Sequence, residues 1–310
     1  MLNNNSSNVG TENKGLEKIL LFTGVILIIL CFSFFLFACG STVQFPLVHN
    51  DGQLLRVSKH RTNVTFIGHS TVLVQLDGMN FLTDPMFSDC AVIIPRVTPP
   101  GVRFEDLPQI DFVIISHNHY DHLDLGTLER LDTSTVIIVP RGVSQLLLEE
   151  GIKNVRELDW WQSTQVGSLR ITAVPCQHFS GRGLLDTDKT GWNSYVVEGG
   201  QTVYHAGDTG YFEGFKEIGE KFSIDIALIP IGAYKPRWFM KEKHVDPYEA
   251  VQAFKDLRAK WLVPIHWGTF RLSLEPMDEP PQLVQEIAQK ESISAQVLLL
   301  KHGETNFFQP

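Results

Sequence analysis

Apolar positions along the chain fall into short, β-branched runs punctuated by turn residues. Val64 to Gly68, Thr71 to Leu76 and Asn80 to Thr83 read as consecutive strands, with Asp77-Gly78 the hairpin signal between the last two. Gly68-His69-Ser70-Thr71 breaks the first pair and Asp84-Pro85 closes the third. Phe112 to Ile115 and Thr135 to Val139 are further strands, and Val143 to Glu150 has helical spacing that Gly151 ends. Ile171 to Pro175, Tyr195 to Val197 and the segment at Val203 are strand-like, and the unbroken apolar run Ile224 to Ile231 suits a strand covered on both faces. Asp246 caps the next helix, with Pro247 in its first turn, Glu249 three residues after the cap, and Ala250, Val251, Phe254 and Leu257 on one face. A helix around Leu283 to Ala288, a strand Gln296 to Leu300 and a turn Lys301 to Glu304 close the chain. Antiparallel strands first and strand-helix alternation afterwards predict a layered α/β domain.

The chemistry concentrates after the Phe112 strand, where the chain reads I-S-H-N-H-Y-D-H-L-D. His117, His119, Asp121 and His122 are metal-ligand types arriving within six residues of one another. A lone histidine there is ordinarily a hydrogen-bonded surface residue; four ligand types at this spacing point to a metal loop. In a turn after a strand, His-x-His can aim two imidazoles at one point while the Asp-His pair leaves in another direction, so one loop can serve two ions.

This H-x-H-x-D-H pattern resembles the signature of the metallo-β-lactamase superfamily. The resemblance implies an αββα sandwich, two mixed sheets flanked by helices with a dinuclear metal site at one edge. It also implies three later ligands, and the chain offers His178, Asp208 and His266 in that order, each after a strand-like run. By the same resemblance His117, His119 and His178 hold one ion, Asp121, His122 and His266 the other, and Asp208 bridges. Donors that are all imidazole and carboxylate suit two Zn²⁺, with Fe or Mn open alternatives. Paired ions of that kind imply hydrolysis by an activated water, with Asp121 available to take a proton. His69 and Asp84 are candidates to orient a ligand imidazole from behind, or else turn residues.

Composition narrows the setting. With 310 residues, 43% of them hydrophobic, the chain can bury one large domain, assigned to residues 62–310. A net charge of −9 argues against nucleic acid as a partner. Residues 1 to 18 are polar, whereas Ile19 to Ala38 contains no charge and is long enough to cross a bilayer. Leu36-Phe37-Ala38-Cys39-Gly40 resembles a bacterial lipoprotein box with Cys39 as lipid acceptor; a single uncleaved transmembrane anchor is the alternative. Either way residues 1–39 anchor, residues 40–61 tether, and the domain sits beside a membrane, extracytoplasmic in the lipoprotein case. Cys90 and Cys176 belong to the domain, either as unpaired thiols or as a disulfide.

Nine strings narrow the resemblance: G-H-S-T-V-L-V at Gly68, L-T-D-P-M-F-S at Leu82, the metal loop, L-D-W-W at Leu158, H-A-G-D-T-G-Y at His205, I-P-I-G-A-Y-K-P-R-W-F-M at Ile229, H-V-D-P at His244, I-H-W-G-T-F at Ile265 and L-K-H-G-E at Leu300. They are similar to the N-acyl-phosphatidylethanolamine-hydrolysing phospholipase D family. That implies a membrane phospholipid substrate, cleaved at phosphorus to N-acylethanolamine and phosphatidic acid. The loop with Tyr234, Arg237, Trp238, Phe239 and Met240 reads as a recognition lip, in which Arg237 or Lys235 meets a phosphate and Trp238, Phe239 and Met240 an acyl chain, or else as a solvated, partly packed loop, while His244 contacts substrate or makes a structural hydrogen bond. The Ser180 to Leu185 stretch reads as a flexible loop able to close over substrate. A homodimer is a further implication, although residues 1 to 60 carry no motif matching the family's own N-terminal region. A lactonase of the same superfamily and a non-catalytic metal-binding lipoprotein are the competing readings.

Overall fold

Alternation within the strands sorts their side chains onto two faces, and the consequence is visible in the computed structural model, which describes residues 44–52, 62–183 and 185–309. The apolar stretch 19–38, Cys39 and most of the tether lie outside those residues. Among the described residues no helix is long and apolar enough to cross a membrane.

Two mixed sheets face one another. One contains seven strands in the order β15-β1-β2-β3-β6-β7-β8, formed by Thr305–Phe308, Thr62–Gly68, Thr71–Leu76, Met79–Thr83, Phe112–Ile114, Val136–Pro140 and Val155–Leu158. The other runs β14-β13-β12-β11-β10-β9, formed by Trp261–Ile265, Ile226–Pro230, Thr202–His205, Ser194–Glu198, Leu169–Val174 and Ser163–Val166. A small hairpin, β4 (Cys90–Ala91) with β5 (Ile94–Pro95), stands apart. Among the described residues the helices are α1 (Leu125–Leu128), α2 (Ser144–Glu149), α3 (Gly214–Lys221), α4 (Arg237–Met240), α5 (Pro247–Asp256) and α6 (Glu279–Lys290). Phe66, Val74, Phe81, Phe112 and Ile114 point between the sheets toward Ile171, Tyr195, Val197 and Tyr204. Ile67, Leu73, Leu82, Val113 and Ile115 point the other way, under Leu128 of α1 and Leu147 of α2. Both faces are buried, so the core strands read as continuous apolar runs rather than as alternation. This is the αββα sandwich that the metal loop implied.

Strand direction places the chemistry. β3, β6 and β7 are parallel in one sheet and β12, β13 and β14 are parallel in the other. Loops at the carboxyl ends of parallel strands share one edge, where ligands of open α/β sheets are bound. The segments holding Asp84, His117 to Asp124, Asp208, His244 and His266 therefore converge.

The predicted strand Gln296 to Leu300 is not formed. Val297 makes one bridge to Leu262, and the last strand is β15, antiparallel to β1. Leu299 and Leu300 are apolar because they pack against the core, not because they pair. Cys90 is exposed, Cys176 is buried, and both are free thiols. Burial pushes the Cys176 thiol up to about 12. In the native protein, iodoacetamide followed by peptide mapping is expected to label Cys90 and to reach Cys176 only after denaturation; equal labelling of both would contradict the burial.

Candidate metal centre

The loop after β6 closes as a tight turn, with the amides of His122 and Leu123 both donating to the carbonyl of His119. This winds four ligand-type side chains into a space that the other sheet completes. His117 Nε2 lies 2.7 Å from His119 Nδ1, and His178 Nε2 lies 3.4 Å from that same atom. Asp208 Oδ2 stands 4.0 and 3.9 Å from the Nε2 atoms of His117 and His178. On its other side, His122 Nε2 is 3.1 Å from Asp208 Oδ2 and His266 Nε2 is 3.2 Å from Asp208 Oδ1. Asp121 Oδ2 completes this second group, 3.4 Å from His122 Nε2 and 3.6 Å from His266 Nε2. All seven sequence-predicted ligands are brought together, in two groups that share Asp208. Ligands about 2.0–2.1 Å from a tetrahedral ion stand roughly 3.3 Å from each other, and these separations bracket that value.

The donor set fits divalent cations on a further observation. His122 Nε2, Asp208 Oδ1, His244 Nδ1 and His266 Nε2 are buried with no hydrogen-bond partner, although they face one another. Orphaned buried polar atoms are costly and rare, and four converging on one space call for a bound group. The electrostatics agree. Burial opposes charge on His266, but Asp208 and Asp121 outweigh it and push the imidazole up to about 9. His122 is likewise raised, against burial, by Asp208, Asp121 and Asp84. The carboxyls of Asp208 and Asp121 stay well below the usual range, held down by His122 and its neighbours in spite of burial. The cluster thus demands positive charge, which a metal ion supplies in place of protons.

Behind the donors lies a shell that fixes their orientation. Asp84 is fully buried; it accepts from the Ser116 amide at 2.6 Å and the Ser116 hydroxyl at 2.8 Å, and pairs with His122 Nδ1 at 2.9 Å and His205 Nε2 at 2.8 Å. With Nδ1 held there, His122 turns Nε2 to the centre. His69 Nε2 is 2.9 Å from Asp121 Oδ2, and burial drives His69 down to about 3. His69 is in the left-handed region (φ 58°), fixed by its amide donating to Thr269 Oγ1 and its carbonyl accepting from the His266 amide. His178 Nδ1 donates to the Lys243 carbonyl at 2.9 Å. Sequence reading overlooked Ser116, His205 and Thr269 in this shell. Only the strings I-S-H-N-H, H-A-G-D and H-W-G-T-F carried a trace of them.

The recognition lip needs correction. Arg237 donates to the His244 carbonyl at 2.8 Å and to Glu249 Oε2 at 2.7 Å, so its guanidinium braces the start of α5 and is not free for a phosphate. Tyr234 is buried and its hydroxyl donates to Glu279, which also pairs with Lys235. Trp238 and Phe239 are exposed on α4, and Met240 is half-buried at its end. His244 does turn inward: its buried Nδ1 lies 3.9 Å from Asp208 Oδ2, its ring packs 5.2 Å from that of His178, and burial lowers it to about 4. Nor is the Ser180 to Gly183 stretch free-standing. The Gly181 amide donates to Asn118, Arg182 donates to the Asn118 and Leu123 carbonyls, and its guanidinium stacks on Tyr120, which ties the stretch to the metal loop.

Fold and site together define an α/β metallo-β-lactamase architecture with paired donor sets at one edge. A family profile described as "Beta-lactamase superfamily domain" matches residues 79–267, and the chain belongs to that superfamily. Among its relatives, N-acyl-phosphatidylethanolamine-hydrolyzing phospholipase D 1 of Caenorhabditis elegans is 40% identical over 245 residues, covering 71% of this chain and 69% of the worm protein. The mitochondrial N-acyl-phosphatidylethanolamine-hydrolyzing phospholipase D of Saccharomyces cerevisiae is 37% identical over 259 residues, covering 79% of this chain and 55% of the yeast protein. A solved structure with the same fold, the metallo hydrolase Igni18 of Ignicoccus hospitalis, has a TM-score of 0.64 at 24% identity, covering 80% of this chain and 99% of its own.

Proposed function

We propose that this metal-dependent hydrolase is a zinc phosphodiesterase of the phospholipase D type, which cleaves N-acyl-phosphatidylethanolamine to N-acylethanolamine and phosphatidic acid beside a membrane. The observation that carries the reading is the pair of donor groups sharing Asp208, in a chain 40% identical to the worm phospholipase. His117, His119 and His178 would hold one ion, Asp121, His122 and His266 the other, and Asp208 both. Bound there, two divalent cations supply Lewis acidity toward a phosphodiester and make water nucleophilic near neutral pH.

The chain's own residues do the rest. Asp84, His69 and the Lys243 carbonyl hold the donor imidazoles and Asp121 in fixed orientations, so no reorganisation is needed as charge develops. His244, kept neutral by burial, presents Nδ1 to the same space and contacts a phosphoryl oxygen of the substrate. Asp121 would hold the second ion through Oδ2 and, where its carboxylate is partly free, take a proton from the attacking water. The uncharged stretch 19–38 keeps the domain at the bilayer that contains the substrate.

The test is mass-spectrometric product analysis with zinc-loaded full-length protein and N-acyl-phosphatidylethanolamine in mixed phospholipid. Metal-dependent release of N-acylethanolamine together with phosphatidic acid is expected. A protein carrying about two metal ions per chain that leaves every phospholipid intact would refute the phospholipase reading.

A further inference from the structure

We infer that His302 is a positioning residue for the second donor group, acting through Thr269 and His69 on Asp121 and His266. It rests on the reading of the cluster as a metal centre and not on which phosphodiester is cleaved. His302 belongs to the string L-K-H-G-E, which supplies no donor to either group.

A histidine is a costly way to fill this position. The side chain is fully buried, and its ring stands among Phe66, Trp267 and Phe45 at 4.9, 5.7 and 6.3 Å between centroids. Burial, with the Arg96 cation adding to it, drives the imidazole down to about 3, so the ring is neutral. A phenylalanine would fill such an aromatic box without burying a polar atom. What the imidazole adds is one contact, Nε2 to Thr269 Oγ1 at 3.0 Å, while Nδ1 has no partner. The tautomer with its proton on Nε2 leaves Nδ1 a bare acceptor, the less costly of the two orphans. His302 then donates to Thr269 Oγ1, and the Thr269 hydroxyl donates to the Trp267 carbonyl at 3.3 Å. The second lone pair of Oγ1 accepts the His69 amide at 2.7 Å. Each of these three donors is met.

The residues beyond Thr269 show what this chain holds. His69 and His266 sit in the left-handed region, at φ 58° and 59°, which non-glycine residues keep only where their surroundings over-determine it. The His69 carbonyl accepts from the His266 amide, their rings lie 4.0 Å apart, and His69 Nε2 is 2.9 Å from Asp121 Oδ2. Two of the three donors proper to the second ion are therefore set from His69. The His302 ring clamps the segments that carry His69 and His266: a Cβ at Gly68 would stand 3.0 Å from His302 Cδ2, and one at Gly268 3.1 Å from His302 Cε1. Glycine at both places admits the ring. From outside, the His302 carbonyl accepts from the Val48 amide and Asn50 Nδ2 donates to the Gly303 carbonyl, so residues 45–50, assigned to the tether, close the box. Among the described residues His302, Thr269 and His69 make no hydrogen bond to His117, His119 or His178. Their action falls on one donor group.

The test compares full-length wild type with His302→Phe, which keeps the packing and removes the donor, and with His302→Gln, whose amide nitrogen restores a donor. In zinc-loaded protein titrated with a chelator, His302→Phe is expected to hold the second ion at least about tenfold more weakly and the first as wild type does, the scale of losing a group behind a metal ligand. On a soluble p-nitrophenyl phosphodiester at saturating zinc, kcat is expected to fall about tenfold with KM unchanged. His302→Gln is expected to recover most of both losses. Two ions released equally, a Gln variant no better than Phe, or wild-type retention of both ions in His302→Phe would each overturn the inference. Thr269→Val cuts the same chain at its middle and carries the test should His302→Phe not fold. The double variant is expected to lose no more than either single one, and additive losses would overturn the shared route. A wild-type chain that binds no metal fails the metal reading instead. The positioning role is then decided by deuterium exchange at the His69 amide, faster in His302→Phe than in wild type if His302 holds it and equal if it does not.

Discussion

Asp208→Asn is expected to abolish hydrolysis and metal retention together. Asp208 Oδ1 and Oδ2 stand 3.2 and 3.1 Å from His266 and His122 on one side, and Oδ2 stands 3.9 Å from His178 on the other. An amide keeps the shape but removes the negative charge both donor groups share and replaces one oxygen by a hydrogen-bearing nitrogen that cannot ligate. Turnover should fall at least about a thousandfold, equivalent to roughly 4 kcal/mol of transition-state stabilisation. Metal analysis after dialysis should show the ions lost in the same variant. Wild-type metal content with full activity would remove Asp208 from the bridging position.

Asp84→Ala is expected to act on stability even in metal-free protein. The side chain is fully buried and collects four polar partners, so its removal leaves the Ser116 amide and His205 Nε2 without an acceptor and takes the nearer partner from His122 Nδ1 and one partner from the Ser116 hydroxyl. Breaking a buried charged network in this way costs about 3–5 kcal/mol. For a domain of this size that corresponds to a drop in Tm of roughly 10 °C. Burial works against the Asp84 charge, but His205 and His122 outweigh it and hold the carboxyl well below the ordinary range. A depressed native pKa stabilises above the unfolded value and is lost in acid, so the wild-type advantage should persist at neutral pH and shrink below about pH 4. Thermal melts of both proteins in chelator would check this; equal Tm values would mean that Asp84 is not a structural hub.

What the sequence made legible was whatever depends on near neighbours. His117, His119, Asp121 and His122 lie on one turn, and His178, Asp208 and His266 each follow a strand, so order along the chain carried the whole donor set. Arg237 and Tyr234 were misread because their partners, Glu249 and Glu279, compete from helices that local sequence does not place beside them. Ser116 and His205 escaped notice because their role is defined only by the Asp84 carboxylate, which follows the neighbouring strand for Ser116 and lies on the opposite sheet for His205. Among strands, V-R-E-L, S-T-Q-V and T-N-F-F were missed: β8, β9 and β15 sit at sheet edges, where one-sided burial leaves too weak an apolar signal. V-L-L-L near the C-terminus showed the converse, since an apolar run records burial and not pairing.

The donor cluster is shared between the two sheets. His117, His119, Asp121 and His122 hang from the sheet of β6, whereas His178, Asp208 and His266 hang from the sheet of β10, β12 and β14. Asp84 to His205, the Ser116 carbonyl to the Asn193 amide, and the His69 carbonyl to the His266 amide cross the same gap. Elsewhere the facing surfaces are mainly apolar, and further polar ties between the sheets, the Gly200 amide to Asp77 and Arg156 to the Gln165 carbonyl, lie at their margins. At this edge a slip of a single residue would unfasten every crossing at once, so the centre works as a rivet that records the correct alignment of the sandwich. Chain segments far from the chemistry can drift in sequence as long as they preserve that alignment, and damage to it anywhere would be felt first as a loss of metal.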